Sequence, residues 1–183
     1  MVSPATKPMT ADEYFARPET MLPEQLLDGE LVVSPAPTFE HQIAIGNLFT
    51  LLRGLIPDGQ VCLAPLDIRL DVRTVVQPDV FWLSGTSRCQ PVNGHLHGPP
   101  ELIAEILSPS TARYDRTAKF SIYERFGVAE YWIVDLDVRA VEVWALRDGV
   151  YQRTGNFLAG ATFESLALSG KLVETALIFP QQN

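Results

Sequence analysis

The chain has 183 residues, 46% of them apolar and 20% charged, with 14 basic against 22 acidic residues and a formal net charge of −8. That is one domain's worth of chain with enough apolar content for a core, which excludes a disordered scaffold. The acid excess opposes sequence-independent attraction to a polyphosphate, and no apolar run approaches the roughly 18 residues that a membrane helix needs. The N-terminal stretch lacks a basic region followed by an apolar one, so no secretory signal is expected. Cys62 and Cys89 show neither CxxC spacing nor a neighbouring His pair. They are expected to be free thiols in a reducing cytoplasm.

No repeat or composition break divides the chain, so a single domain over 1–183 is expected. Thr10-Ala11-Asp12-Glu13 is a capping-box pattern opening a short helix to about Arg17. Leu26 to Val33 predicts a hairpin around Asp28-Gly29. Thr38 can cap a longer helix with Ile43, Ile45, Leu48, Leu51, Leu52 and Leu55 on one broad apolar face. Strands follow at Gln60–Leu63, Leu66–Asp71 and Val75–Leu83, then a loop from Ser84 to Pro100. Glu101–Leu107 is nearly continuous in apolar character, which predicts a strand covered on both faces. Ser110 is placed to cap a second long helix ended by Gly127, and Glu130–Asp135 follows as a central strand. Ala140–Leu146 and Val150–Thr154 form a hairpin turned at Asp148-Gly149, while the tail from Phe163 to Phe179 fits neither period. This order is α/β, with a mixed sheet flanked by helices.

Three polar residues break the local pattern. Glu105 lies inside Leu102-Ile103-Ala104-Glu105-Ile106-Leu107, where a buried carboxylate needs a cation, a metal or several donors. The plainer reading is a strand end opening to solvent. Asp79 follows Pro78, which removes a ladder donor and favours an edge or bulge where a side chain can be aimed at a site. The alternative is an ordinary turn aspartate. Lys119 and Asp115 fall on the same helical stripe as Ala112, Ile122, Tyr123 and Phe126, the core-facing side. An inward lysine must snorkel out or find a carboxylate, unless it makes only a private i,i+4 pair with Asp115. Together Asp79, Glu105 and Lys119 suit metal-assisted hydrolysis, because Mg²⁺ prefers oxygen ligands and an ammonium can steady a developing negative charge. His95 and His97 have strand-like ligand spacing without a third partner and are expected to be loop residues; Trp132 and Trp144 are expected in the core.

Pro78-Asp79-Val80, the run Glu105-Ile106-Leu107-Ser108-Pro109-Ser110-Thr111, Asp115 with Lys119, and Tyr131-Trp132-Ile133-Val134-Asp135 resemble the Uma-type family of bacterial endonucleases. That family lies in the PD-(D/E)xK superfamily, and the similarity spans 10–179, nearly the whole chain. The resemblance implies a restriction-endonuclease-like αβββαβ core over about 38–135, with an extra N-terminal helix and a C-terminal hairpin. It implies Mg²⁺-dependent cleavage of DNA, with Mn²⁺ able to substitute. Asp79 and Glu105 would be the metal ligands, with the Ile106 carbonyl a third. The standard lysine position, two after the glutamate, is Leu107 here, and the family's displaced lysine matches Lys119. His41 also matches a family position, as an accessory or simply structural histidine, and Asp115 is a second accessory candidate. Gln25 stands where relatives carry an acid, which would weaken a second metal site.

The leading expectation is therefore a Mg²⁺-dependent deoxyribonuclease, catalytic through Asp79, Glu105 and Lys119. Arg113 and Arg116 are expected to contact the DNA backbone, and a homodimer would present two sites to a duplex. An inactive nuclease-fold interaction module and a hydrolase of a small phosphorylated compound are the competing readings.

Overall fold

The computed structural model describes residues 7–18, 20 and 22–181. Its centre is a six-stranded sheet built around β9 (Leu102–Ile106) and β10 (Glu130–Asp135), which run parallel. β6 (Val80–Leu83) and then β3 (Gln60–Leu63) extend it antiparallel on one side. On the other side β11 (Ala140–Arg147) and β12 (Val150–Leu158) extend it as a hairpin, with the positive φ of Asp148 and Gly149 making the expected turn.

Strand alternation sorts the side chains of this sheet into two cores. Val80, Trp82, Ala104, Ile106, Trp132 and Val134 face α2 (Phe39–Leu55), which buries Ala44, Ile45, Leu48 and Leu52 against them. Phe81, Ile103, Tyr131 and Ile133 face the other way, toward Ile122 and Tyr123 of the second long helix. Glu105 shares that second face by parity with Ile103. The strand is buried at every position, as its apolar run predicts. α2 starts at Thr38, whose hydroxyl accepts from the His41 N–H. Ile43, expected on its apolar face, is exposed, and His41 is buried instead.

A second six-stranded sheet packs over the Ile103 face. It contains β1 (Glu24–Leu27) and β2 (Glu30–Val33), the expected Asp28-Gly29 hairpin, and also β4 (Ile68–Arg69) and β5 (Val75–Val76). The predicted strand Val75–Leu83 is thus two strands in two sheets. Pro78 donates no hydrogen bond, so the ladder stops at Gln77-Pro78-Asp79 and the chain crosses between sheets there. Only Ile68–Arg69 of the predicted Leu66–Asp71 strand pairs. The expected loop 84–100 instead holds β7 (Gln90–Val92) and β8 (His95–His97), joined at Asn93 and Gly94, both with positive φ. Asn-Gly is a strong hairpin dipeptide, which the proline-rich surroundings masked.

α1 (Ala11–Phe15) carries the expected capping box and ends two residues before Arg17. The second long helix starts later than expected. Thr111 precedes α3 (Ala112–Tyr114), and Ser108, not Ser110, offers its hydroxyl to the Thr111 N–H at 3.3 Å. A π-helical segment, Asp115–Lys119, leads into α4 (Phe120–Phe126), closed by Gly127 at φ 83°. The tail forms the hairpin β13 (Thr162–Ser165) and β14 (Lys171–Glu174), then a short 3₁₀ turn. Glu130 ties this tail to the sheet. Its carboxylate accepts from Trp132 Nε1, Ser165 Oγ and the Ala167 N–H at 2.7, 2.9 and 2.7 Å. No helix among the described residues is long and apolar enough to cross a membrane.

Candidate active site

The β6–β9 register brings two acids face to face. Val80 pairs with Ala104, so one step further along the same antiparallel ladder Asp79 stands opposite Glu105. The ladder is replaced there by side-chain bonds. Asp79 Oδ2 accepts from the Ile106 N–H at 2.7 Å, and the Asp79 N–H points at Glu105 Oε2 from 3.4 Å. The break at Pro78 therefore frees the aspartate from the strand while leaving it fixed against β9.

Lys119 enters from the π-helical segment. Its ammonium lies 3.0 Å from Glu105 Oε1 and 3.0 Å from Asp115 Oδ1. All three groups are deeply buried: Glu105 is 2% exposed, Asp115 1% and Lys119 4%. The private-pair reading of Asp115 and Lys119 therefore fails, because the ammonium is shared with a strand residue. Tyr123, one turn on, donates its hydroxyl to Glu105 Oε1 at 2.6 Å, and Tyr131 donates to the Asp115 carbonyl at 3.1 Å. π-Helical insertions recur at functional sites, and this one carries both charged residues of the helix that face inward.

His41 closes the cluster from α2. Its Nε2 lies 3.0 Å from the Ile106 carbonyl oxygen and 3.3 Å from Asp79 Oδ2, while Nδ1 is buried with no partner among the described residues. Burial works against a charged imidazole, but the bond to Asp79, the charge of Asp79 and the Ile106 carbonyl together raise the His41 pKa above its ordinary value. Burial pushes Glu105 up to about 8; Lys119 opposes that shift, and the charges of Asp79 and Asp115 add to it. Burial would lower Lys119, yet Glu105, Asp115 and Asp79 outweigh it and hold the ammonium charged.

The site is the floor of a cavity of about 420 Å³ that Asp79, Glu105, Asp115, Lys119 and His41 help to line. Gln25 is there too, buried, its side-chain oxygen accepting from the Gln77 N–H at 3.0 Å; the expected extra acid is replaced by a neutral backbone brace. Asp79, Glu105 and Asp115 gather around one lysine in a sheltered place, and the Lys119 ammonium is the neighbour of Asp115 Oδ1. Asp79 Oδ1 accepts no hydrogen bond among the described residues, and Glu105 Oε2 accepts only the long one from Asp79. Two carboxylates beside a backbone carbonyl are hard oxygen donors, the chemistry that suits Mg²⁺ with several waters retained. Among the described residues no three His, Cys, Asp or Glu side chains cluster as a ready-made metal cage, which Mg²⁺ sites seldom need.

The remaining candidates lie elsewhere. Arg116 is held by Glu142 and Asp135. Arg113 is exposed on the outer face of the helix. The expected solvent-exposed loop histidines are instead half-buried strand residues of β8, and His95 stacks on Phe15 at 3.9 Å between ring centroids. Trp132 is buried in the core as expected, and Trp144 is half-buried beneath Arg153. Cys62 and Cys89 are free thiols. Tyr123 was read only as part of the Lys119 stripe; its bond to Glu105 is the contact that sequence reasoning missed, and a hydroxyl on an inward face was the available sign.

The family model described as "Uma2: Putative restriction endonuclease" matches residues 11–176. The chain belongs to the Uma2 family. This Uma2 chain is also 30% identical over 140 residues to the protein named "Uncharacterized protein sll1609" of Synechocystis sp., across 74% of this chain and 79% of that one. Its fold matches a crystal structure described as that of "a putative nuclease belonging to DUF820" from Anabaena variabilis ATCC 29413. The TM-score is 0.78 at 20% identity, covering 94% of this chain and 98% of that chain. α2, β3, β6, β9, the α3–α4 helix and β10 form the restriction-endonuclease-like αβββαβ core of the Uma2 chain, as the resemblance implied.

Proposed function

We propose that this chain is a Mg²⁺-dependent nuclease that hydrolyses DNA phosphodiester bonds, with Asp79 and Glu105 as metal ligands and Lys119 as the catalytic ammonium. The observation that carries this reading is the convergence of three stretches of chain: a lysine on a helix lies 3.0 Å from a buried strand carboxylate that stands opposite a second acid. On this reading Lys119 takes the role that the uncharged Leu107 leaves open, supported by its 3.0 Å approach to Glu105.

The ion, when bound, would supply Lewis-acid polarisation of the phosphoryl oxygen and a water of lowered pKa. The chain's own groups do the rest. Asp79 is oriented by the Ile106 N–H, so one carboxylate oxygen is pinned and the other is left to ligate. Tyr123 and Lys119 fix Glu105 from the opposite side and favour its charged form. Lys119 holds a full positive charge next to the ligand pair, where it can orient the attacking water or offset charge on the phosphorane oxygens. His41 braces Asp79 and the Ile106 carbonyl together.

The test is cleavage of plasmid DNA, both native and heat-denatured to single strands, in Mg²⁺ or Mn²⁺ by the wild type, Asp79→Ala and Lys119→Ala. Nicking by the wild type alone supports the assignment. Equal nicking by all three proteins, or by none, removes it.

A further inference from the structure

We propose that the DNA this site acts on is unpaired, a strand free of its complement, and not an intact duplex. The proposal rests on the nuclease reading above and concerns which DNA can reach the acids.

The first ground is depth. Glu105 and Lys119 are almost fully buried at the floor, so a scissile phosphate must descend into the cavity rather than rest on a surface. About 420 Å³ is space for a small ligand, near the lower end of ordinary binding pockets. The exposed part of the lining includes Pro35, Ala36 and Pro37 before α2, Pro109 before α3, and Pro65, with Pro23 half-buried. Proline fixes φ, so such a rim resists spreading. A duplex is a rod stiff over about 50 nm, and bending it to push one phosphate into a recess is costly. An unpaired strand has no such stiffness and can turn a single nucleotide inward.

Charge is the second ground. Duplex DNA carries one charge per about 1.7 Å of axis, and holding it takes several cationic contacts at once. Among the described residues lining the cavity, Lys119 is the only lysine or arginine, and it already faces Glu105 and Asp115. Arg116, nearest on the helix, is held by Glu142 and Asp135. A chain of net charge −8 with no cationic rim is poorly made for a duplex, whereas a lone strand asks for fewer contacts. What the cavity offers a single nucleotide is proline and alanine surface with the hydroxyls of Ser34, Ser108, Ser110 and Thr111 above the acids.

The experiment uses the full chain, one labelled oligonucleotide either free or annealed to its complement, and bis(4-nitrophenyl) phosphate, all in Mn²⁺, with Asp79→Asn as control. The free strand should be cut at least about tenfold faster than the annealed one, and Asp79→Asn should cut neither. If the annealed strand is cut as fast or faster and Asp79→Asn abolishes this, the inference falls and the nuclease reading stands. Hydrolysis of the small diester without cleavage of either oligonucleotide overturns both readings in favour of a small phosphoester. Inertness toward all three substrates overturns both outright.

Discussion

Replacing Lys119 by Met keeps the length and apolar stem of the side chain and removes only the ammonium. Two buried carboxylates, Glu105 and Asp115, each 3.0 Å from that ammonium, then lose their shared counter-charge. Breaking a buried pair costs about 3–5 kcal/mol, because the surviving charge is left uncompensated. The site has a way to soften this, which makes the prediction specific. Glu105 is already raised to about 8 with the ammonium present, and without it the carboxyl rises further. A carboxyl raised in the folded state binds more protons there than in the unfolded chain. Its contribution is therefore retained at low pH and lost as pH climbs toward the folded value, by up to about 1.4 kcal/mol per pH unit for each such group. Wild-type Glu105 ionises only above about pH 8, so the variant's extra loss from this group appears beyond that value. Urea unfolding followed by tryptophan fluorescence should show Lys119→Met destabilised by about 3 kcal/mol or more at about pH 9.5, with a clearly smaller deficit at about pH 7. A deficit that is the same at both values, or below about 1 kcal/mol at about pH 9.5, would mean that the ammonium is solvated and not the buried partner of Glu105.

Three further outcomes follow from the same contacts. Because Glu105 sits near 8 without an ion, Mg²⁺ must displace its proton, so affinity should rise about tenfold per pH unit up to about pH 8. Calorimetry in buffers of different ionisation enthalpy should register about one proton released per ion at pH 7, and pH-independent binding would rule this out. Glu130→Ala removes the acceptor for Trp132, Ser165 and Ala167 and should cost roughly 3 kcal/mol while freeing the 162–174 hairpin, visible as faster amide exchange there. Gly127→Ala forces a side chain to φ 83° at the close of α4 and should cost about 1–2 kcal/mol; a thermal midpoint equal to wild type would count against the left-handed cap.

Much of the core was legible because its signals are local. The apolar run at 102–106, the Asp28-Gly29 and Asp148-Gly149 turns, and the Thr38 cap each specify their element without help from the rest of the chain. Lys119 was legible for a related reason: a charge on the apolar stripe of a helix must have a buried partner, although the stripe cannot say which. Beyond its Asp28-Gly29 hairpin, the second sheet was not legible. Its strands are as short as two residues, Val75–Val76 and Ile68–Arg69, so their period is invisible and their pairing depends on distant segments. Pro78 was seen as a disturbance within one strand, whereas it separates two strands of different sheets. The π-helical widening at 115–119 and the Tyr123 bond to Glu105 arise from packing around the buried charges, which no sequence period records.

The central claim is that Asp79 and Glu105 share one ion beside the Lys119 ammonium. Crystals of the chain soaked in Mn²⁺ and measured at the manganese edge test it directly. The account predicts a single anomalous peak bonded to both carboxylates at the floor of the cavity, with Lys119 still paired to Glu105. A peak at other residues, or none at saturating Mn²⁺, would contradict it.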